Sequence, residues 1–106
     1  MSENINLVYG FIYDKNGMYN KKWVFENTPE NIASFIINNK SNRCTITNEA
    51  DTLILTSTIG GYVDICPNQD YLTSELLPVL IPMQIGEAKS HEIEFIPDEL
   101  LYEMEI

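Results

Sequence analysis

The stretch INLVYGFIYDKNGMYNKKWVFEN, Ile5 to Asn27, decides the fold. Two apolar-rich runs, Ile5 to Asp14 and Met18 to Asn27, flank Asn16-Gly17, a dipeptide that accepts the positive φ angles of a two-residue hairpin turn. With Asn16 and Gly17 as the turn, Lys15 faces Met18 and Asp14 faces Tyr19. Gly10 then lies opposite Trp23 and Val8 opposite Phe25, with Ile12 on the same face. The other face carries Leu7, Tyr9, Phe11 and Val24 beside Glu26, Lys22 and Asn20. It is itself partly apolar, so both sides of this hairpin call for cover. The turn could instead be longer, and a one-residue slip would exchange the two faces.

Reading outward, Thr28-Pro29-Glu30 is a helix start: a hydroxyl cap, proline at the first helical position, and an acid near the positive dipole end. Ile32, Phe35 and Ile36 form a core stripe that Ala33 and Ile37 widen, and the apolar period ends near Lys40. Arg43 to Thr47 and Thr52 to Ile59 alternate as strands about Asn48-Glu49-Ala50-Asp51, a second hairpin. Gly60-Gly61 interrupts that run, and Tyr62 to Cys66 reads as a third short strand or a bulged continuation of the second, closed by Pro67.

Asp70 is placed to cap a helix that begins near Tyr71. Pro78 lacks an amide donor and crowds the preceding turn, so this helix is expected to end near Leu77 and lead into an extended buried segment from Val79 to Ile85. Gly86 to Ser90 is a polar loop, and Glu92 to Ile96 alternates as an edge strand would. Pro97-Asp98-Glu99 opens a last short helix with Leu100, Leu101 and Met104 turned inward. The order predicts a single α+β domain over residues 1–106: a mostly antiparallel sheet with an N-terminal β-hairpin and two to three short helices.

Charge divides the chain unevenly. Residues 1–53 hold six acids and five bases, whereas residues 54–106 hold ten acids against Lys89 alone. Phosphate binding needs clustered Lys or Arg, and the one local cluster, Lys15, Lys21 and Lys22, sits beside Asp14 and Glu26. Direct nucleic-acid binding is therefore not expected. No apolar run reaches the roughly 20 residues of a membrane helix. Met1-Ser2-Glu3-Asn4 lacks the basic start and apolar core of a signal peptide, so a cytoplasmic protein is expected. Abundant Ile and Asn with a single Arg is the usage of an AT-rich bacterial or phage genome.

Chemistry-bearing motifs are sparse. Cys44 and Cys66 do not form a disulfide framework and read as buried thiols. A Cys66–His91 pair oriented by Asp64 can be drawn, yet nothing in the sequence brings His91 near. Cys44, Cys66 and His91 lack the paired spacings of a zinc site. Gly60-Gly61 is followed by Tyr62-Val63-Asp64 where a phosphate loop needs Lys-Ser/Thr. Asp64, Asn68 and Asp70 lack the downstream bidentate Glu of a calcium loop. No catalytic residue, metal or cofactor is assigned.

What remains is the acidic surface. Glu87, Glu92, Glu94, Asp98, Glu99, Glu103 and Glu105, with Tyr62, Tyr71 and Tyr102 as aromatic anchors, form the expected docking surface for a basic protein partner. The corresponding function is a non-enzymatic interaction module, for example an inhibitor or immunity-type protein covering the nucleic-acid site of its target. The alternative is an assembly subunit acting as a homo-oligomer, in which a second copy covers the extra apolar face of the first hairpin. An enzyme or small-ligand domain would need a concave pocket with convergent polar groups.

Overall fold

The computed structural model describes residues 6–96. Strands β1 (Leu7–Tyr13), β2 (Tyr19–Glu26), β3 (Arg43–Asn48), β4 (Leu53–Thr58) and β5 (Tyr62–Ile65) form one antiparallel sheet in the order β2-β1-β3-β4-β5. Helix α1 (Pro29–Asn38) carries the chain from β2 past β1 to β3. A second helical run follows β5: α2 (Gln69–Tyr71), a π-helical turn (Leu72–Leu76) and α3 (Leu77–Gln84). The α+β class with an antiparallel sheet and N-terminal hairpin is thus observed, with two helical runs among the described residues. The helix expected from Pro97 onward lies outside them.

The first hairpin pairs as expected from Leu7 to Ile12, with Gly10 against Trp23 and Val8 against Phe25. Its turn is longer than two residues. A register shift after Ile12 places Tyr13 opposite Tyr19. Asp14 is the reason: its carbonyl accepts the Gly17 amide, and its Oδ1 accepts those of Asn16 and Met18 at 2.9 and 3.0 Å. The carboxylate organises a wider turn in which Gly17 alone takes positive φ (81°).

Both helical runs lie on one face of the sheet and pack against each other. Between them and the sheet, Val8, Phe25, Ile32, Phe35, Ile36, Ile46, Leu55, Leu76 and Leu80 are fully buried. Thr28 caps α1, its Oγ1 accepting the Asn31 amide at 3.0 Å. Gly10 is where helix meets sheet most closely, for the Phe35 ring lies directly over its backbone. The opposite face carries no helix among the described residues. Even so, Leu7 and Val24 on that face are only 4% and 2% exposed in the single chain.

Three expectations are corrected. Asn68, not Asp70, caps the second helical run, its Oδ1 accepting the Tyr71 amide at 3.0 Å. That run does not stop at Leu77 but continues to Gln84, so Val79 to Ile85 is helical and not extended. The π turn is how Pro78 is accommodated: the Leu77 amide reaches back to the Leu72 carbonyl, shifting the ladder just before the missing donor. Finally, Glu92 to Ile96 is not a regular strand. It runs beside β2 with the Ile96 amide donating to the Val24 carbonyl at 2.8 Å.

Candidate interaction surface

The acidic candidates project outward. Glu87, Glu92 and Glu94 are exposed and make no ion pair among the described residues, whose one salt bridge is Arg43–Asp64 at 3.4 Å. Tyr62, on the edge strand, is 60% exposed. Tyr71 is half-buried instead: its ring packs on the core, and its hydroxyl is buried without a hydrogen-bond partner among the described residues. Burial, with Cys66, Glu75 and Glu30 nearby, pushes its pKa up to about 12. Asp98, Glu99, Tyr102, Glu103 and Glu105 lie outside the described residues.

Glu92 and Glu94 are positioned by a polar strap. His91 lies on α1 with both ring nitrogens engaged, Nδ1 to Ser34 Oγ at 3.2 Å and Nε2 to Asn31 Oδ1 at 2.7 Å. Asn31 donates its Nδ2 to the Glu26 carbonyl, so its oxygen faces the ring and the neutral imidazole carries its proton on Nε2. Ser34 Oγ also accepts the His91 amide at 3.0 Å, and Asn38 Nδ2 donates to the His91 carbonyl at 3.1 Å. Beyond this anchor Ile93 is buried, and the Phe95 ring lies 4.2 Å from that of Trp23. The Glu92 and Glu94 side chains are left outside as their neighbours tuck in.

Ser34, His91 and Asn31 outline a hydroxyl–imidazole–carboxamide relay, but Ser34 is fully buried on α1. A substrate carbonyl has no approach to its Oγ. The pairing drawn from sequence is not assembled either. His91 is committed to α1, and Asp64 bonds Arg43 and Thr56 on the helix-free face. Burial raises the Cys44 and Cys66 thiols above their ordinary pKa, which makes them poorer nucleophiles. Among the described residues no three His, Cys, Asp or Glu side chains converge. At Gly60-Gly61 the amides are already used: Gly60 donates to the Lys40 carbonyl at 2.7 Å and Gly61 to that of Thr58 at 3.1 Å. A phosphate cradle needs those groups free.

A concave site with convergent polar groups is present at one end of the sheet. A cleft of about 430 Å³ is lined by Asn6, Asn27, Asn48, Asn68 and Thr52 over Leu53, Ile54 and Pro67. The carboxamide oxygens of Asn48 and Asn68 are spent on local turns. Among the described residues no ionisable nucleophile, acid or base other than the Tyr71 phenol lines it.

Sequence reasoning missed several exposed apolar side chains. Ile81 and Ile85 are 43% and 62% exposed, Ile59 in the β4–β5 turn is 64% exposed, and Ile65 at the end of β5 is 51% exposed. Gln84 Nε2 donates to the Gly61 carbonyl at 2.7 Å and ties the end of α3 to the β4–β5 turn that leads into Tyr62. The signal was available: Leu77-Pro78-Val79-Leu80-Ile81-Pro82 is apolar on every side, and one sheet face covers only part of such a helix.

Fold and surface together define a small α+β domain with acidic exposed segments and several exposed isoleucines. Compared with known proteins, the chain matches no family model, no curated protein and no solved structure.

Proposed function

We propose that this protein is a non-enzymatic interaction module that docks on a basic protein surface. The observation that carries the reading is the disposition of its charge. The carboxylates at Glu87, Glu92 and Glu94 point into solvent without cationic partners among the described residues, and residues 44–88 contain no Lys or Arg at all. Unpaired surface charge of one sign steers association with a partner of the opposite sign, and it acts over about 8–10 Å at ordinary ionic strength. The finer reading is an inhibitor or immunity-type protein whose carboxylates stand where nucleic-acid phosphates would on its target, with Tyr62 as an aromatic anchor.

The homo-oligomer alternative draws less support. Its motive was the second apolar face of the first hairpin, and Leu7 and Val24 on that face are already buried within one chain.

The test is capture from lysate by wild-type protein and by Glu87→Lys/Glu92→Lys/Glu94→Lys in parallel. The expected result is a basic protein held by the wild type at low salt, released at high salt, and absent from the triple variant. Identical capture by both would refute the acidic surface as the docking site.

A further inference from the structure

The exposed face of the second helical run carries the proposal further. Thr73, Leu77, Ile81 and Ile85 recur every fourth residue, and Pro78 and Pro82 run alongside. Thr73, Leu77, Pro78, Ile81 and Pro82 line one shallow apolar groove of about 440 Å³. Exposed carboxylates neighbour it along the chain: Asp70 and Glu75 before and beside its first residues, Glu87 just beyond the end of α3.

We propose that this groove receives the apolar side of a cationic amphipathic segment of the partner protein, whose Lys or Arg side chains meet the neighbouring carboxylates. This deepens the interaction-module reading and rests on it. Apolar anchors in a groove with charges at the rim are the general form of helix-in-groove recognition. Charge decides the occupant. A second copy of this chain would set acidic rims against each other on a protein of net charge −10, which disfavours self-pairing. A neutral apolar segment would leave the carboxylates unanswered. A cationic one satisfies them.

The experiment is an amide chemical-shift titration of the full chain with three synthetic 14-residue peptides: Leu and Lys at amphipathic helical spacing, the same design with Glu for Lys, and Lys with Gln in place of Leu. The Leu/Lys peptide alone is expected to shift residues 72–85. Ile81→Lys, and separately Ile85→Lys, should weaken it at least tenfold. Both positions are already open to solvent, so the fold is retained, and an unchanged amide spectrum elsewhere verifies it.

Shifts confined to residues 87–94, given equally by the two Lys peptides, would overturn the groove while leaving acidic docking standing. Binding of the Glu peptide at residues 72–85 would overturn the charge argument. No shift with any peptide would overturn the groove, and the capture experiment then decides the broader reading separately. Broadening of residues 72–85 with protein concentration alone, removed by Ile81→Lys, would assign the groove to a second copy and so overturn the proposal.

Discussion

Gly10→Ala is the sharpest perturbation of this fold. A Cβ at Gly10 would lie 2.6 Å from Phe35 Cζ, 2.8 Å from Cε2 and 3.0 Å from Cε1. A ring tip at the surface would swing aside at little cost. Phe35 is instead fully buried, and its ring stacks on Phe25 with centroids 5.1 Å apart. The backbone has no room to yield either, because Gly10 is paired on both sides, to Trp23 and to Ile46. Overpacking of this sort costs about 1–3 kcal/mol. Replacing glycine also narrows the unfolded ensemble, which offsets about 0.4–1 kcal/mol. The net expectation is a loss of about 1–2 kcal/mol, read as a fall in Tm of about 5–10 °C.

Urea and thermal unfolding of wild type, Gly10→Ala, Phe35→Leu and the double variant form the assay. Phe35→Leu alone leaves a void and destabilises too. If the Cβ–ring clash is the cause, the double variant is more stable than the summed losses by at least about 0.5 kcal/mol. Strictly additive losses, or a Gly10→Ala protein as stable as wild type, would refute the packing argument.

Two further outcomes follow from buried polar groups. Tyr71→Phe removes a buried hydroxyl without a partner and should stabilise the protein by about 1 kcal/mol near neutral pH. It should also flatten the alkaline limb: with the folded pKa raised from 10 to about 12, the contribution of Tyr71 is fully present below pH 10 and lost as pH climbs through about 12, so urea midpoints of the wild type should fall more steeply across that window. His91→Ala breaks the ring contacts to Ser34 and Asn31, and hydrogen exchange at the Ile96 amide should quicken several-fold while amides within β1 and β3 stay unchanged.

Much of the fold was legible because local chemistry and burial agree along the first half. The first hairpin, the Thr28 cap, the α1 stripe and the second hairpin each carry their own signal within a few residues, and the sheet repeats them. The expected register survived from Leu7 to Ile12 because Val8, Gly10 and Phe25 have one workable face. It failed at the turn, where Asp14 binds two amides through a side chain that the Asn-Gly pattern does not weigh. The surface was legible only as charge. That Glu92 and Glu94 stand outward depends on His91 seating on α1, a contact across 57 positions of sequence to Ser34 that no local pattern announces.

Pro78 shows why the second helical run escaped local reading, and why that matters for the surface. A proline inside a helix costs roughly 3 kcal/mol when the ladder around it stays fixed. Here the ladder moves instead: the π turn passes the Leu77 amide back to Leu72, so the irregularity falls ahead of the proline and the helix goes on. Tertiary burial favours this outcome, since Leu76 and Leu80 straddle Pro78 and are both fully buried against α1 and the sheet. An extended chain from Val79 would alternate its side chains and withdraw Leu80 from that helical face. The same choice sets what faces outward. With Leu76 and Leu80 inside, helical geometry turns Pro78 and Ile81 toward solvent and leaves Leu77 half-buried between the two sides. The core contacts that carry the helix through Pro78 are therefore what create the apolar groove on its other side.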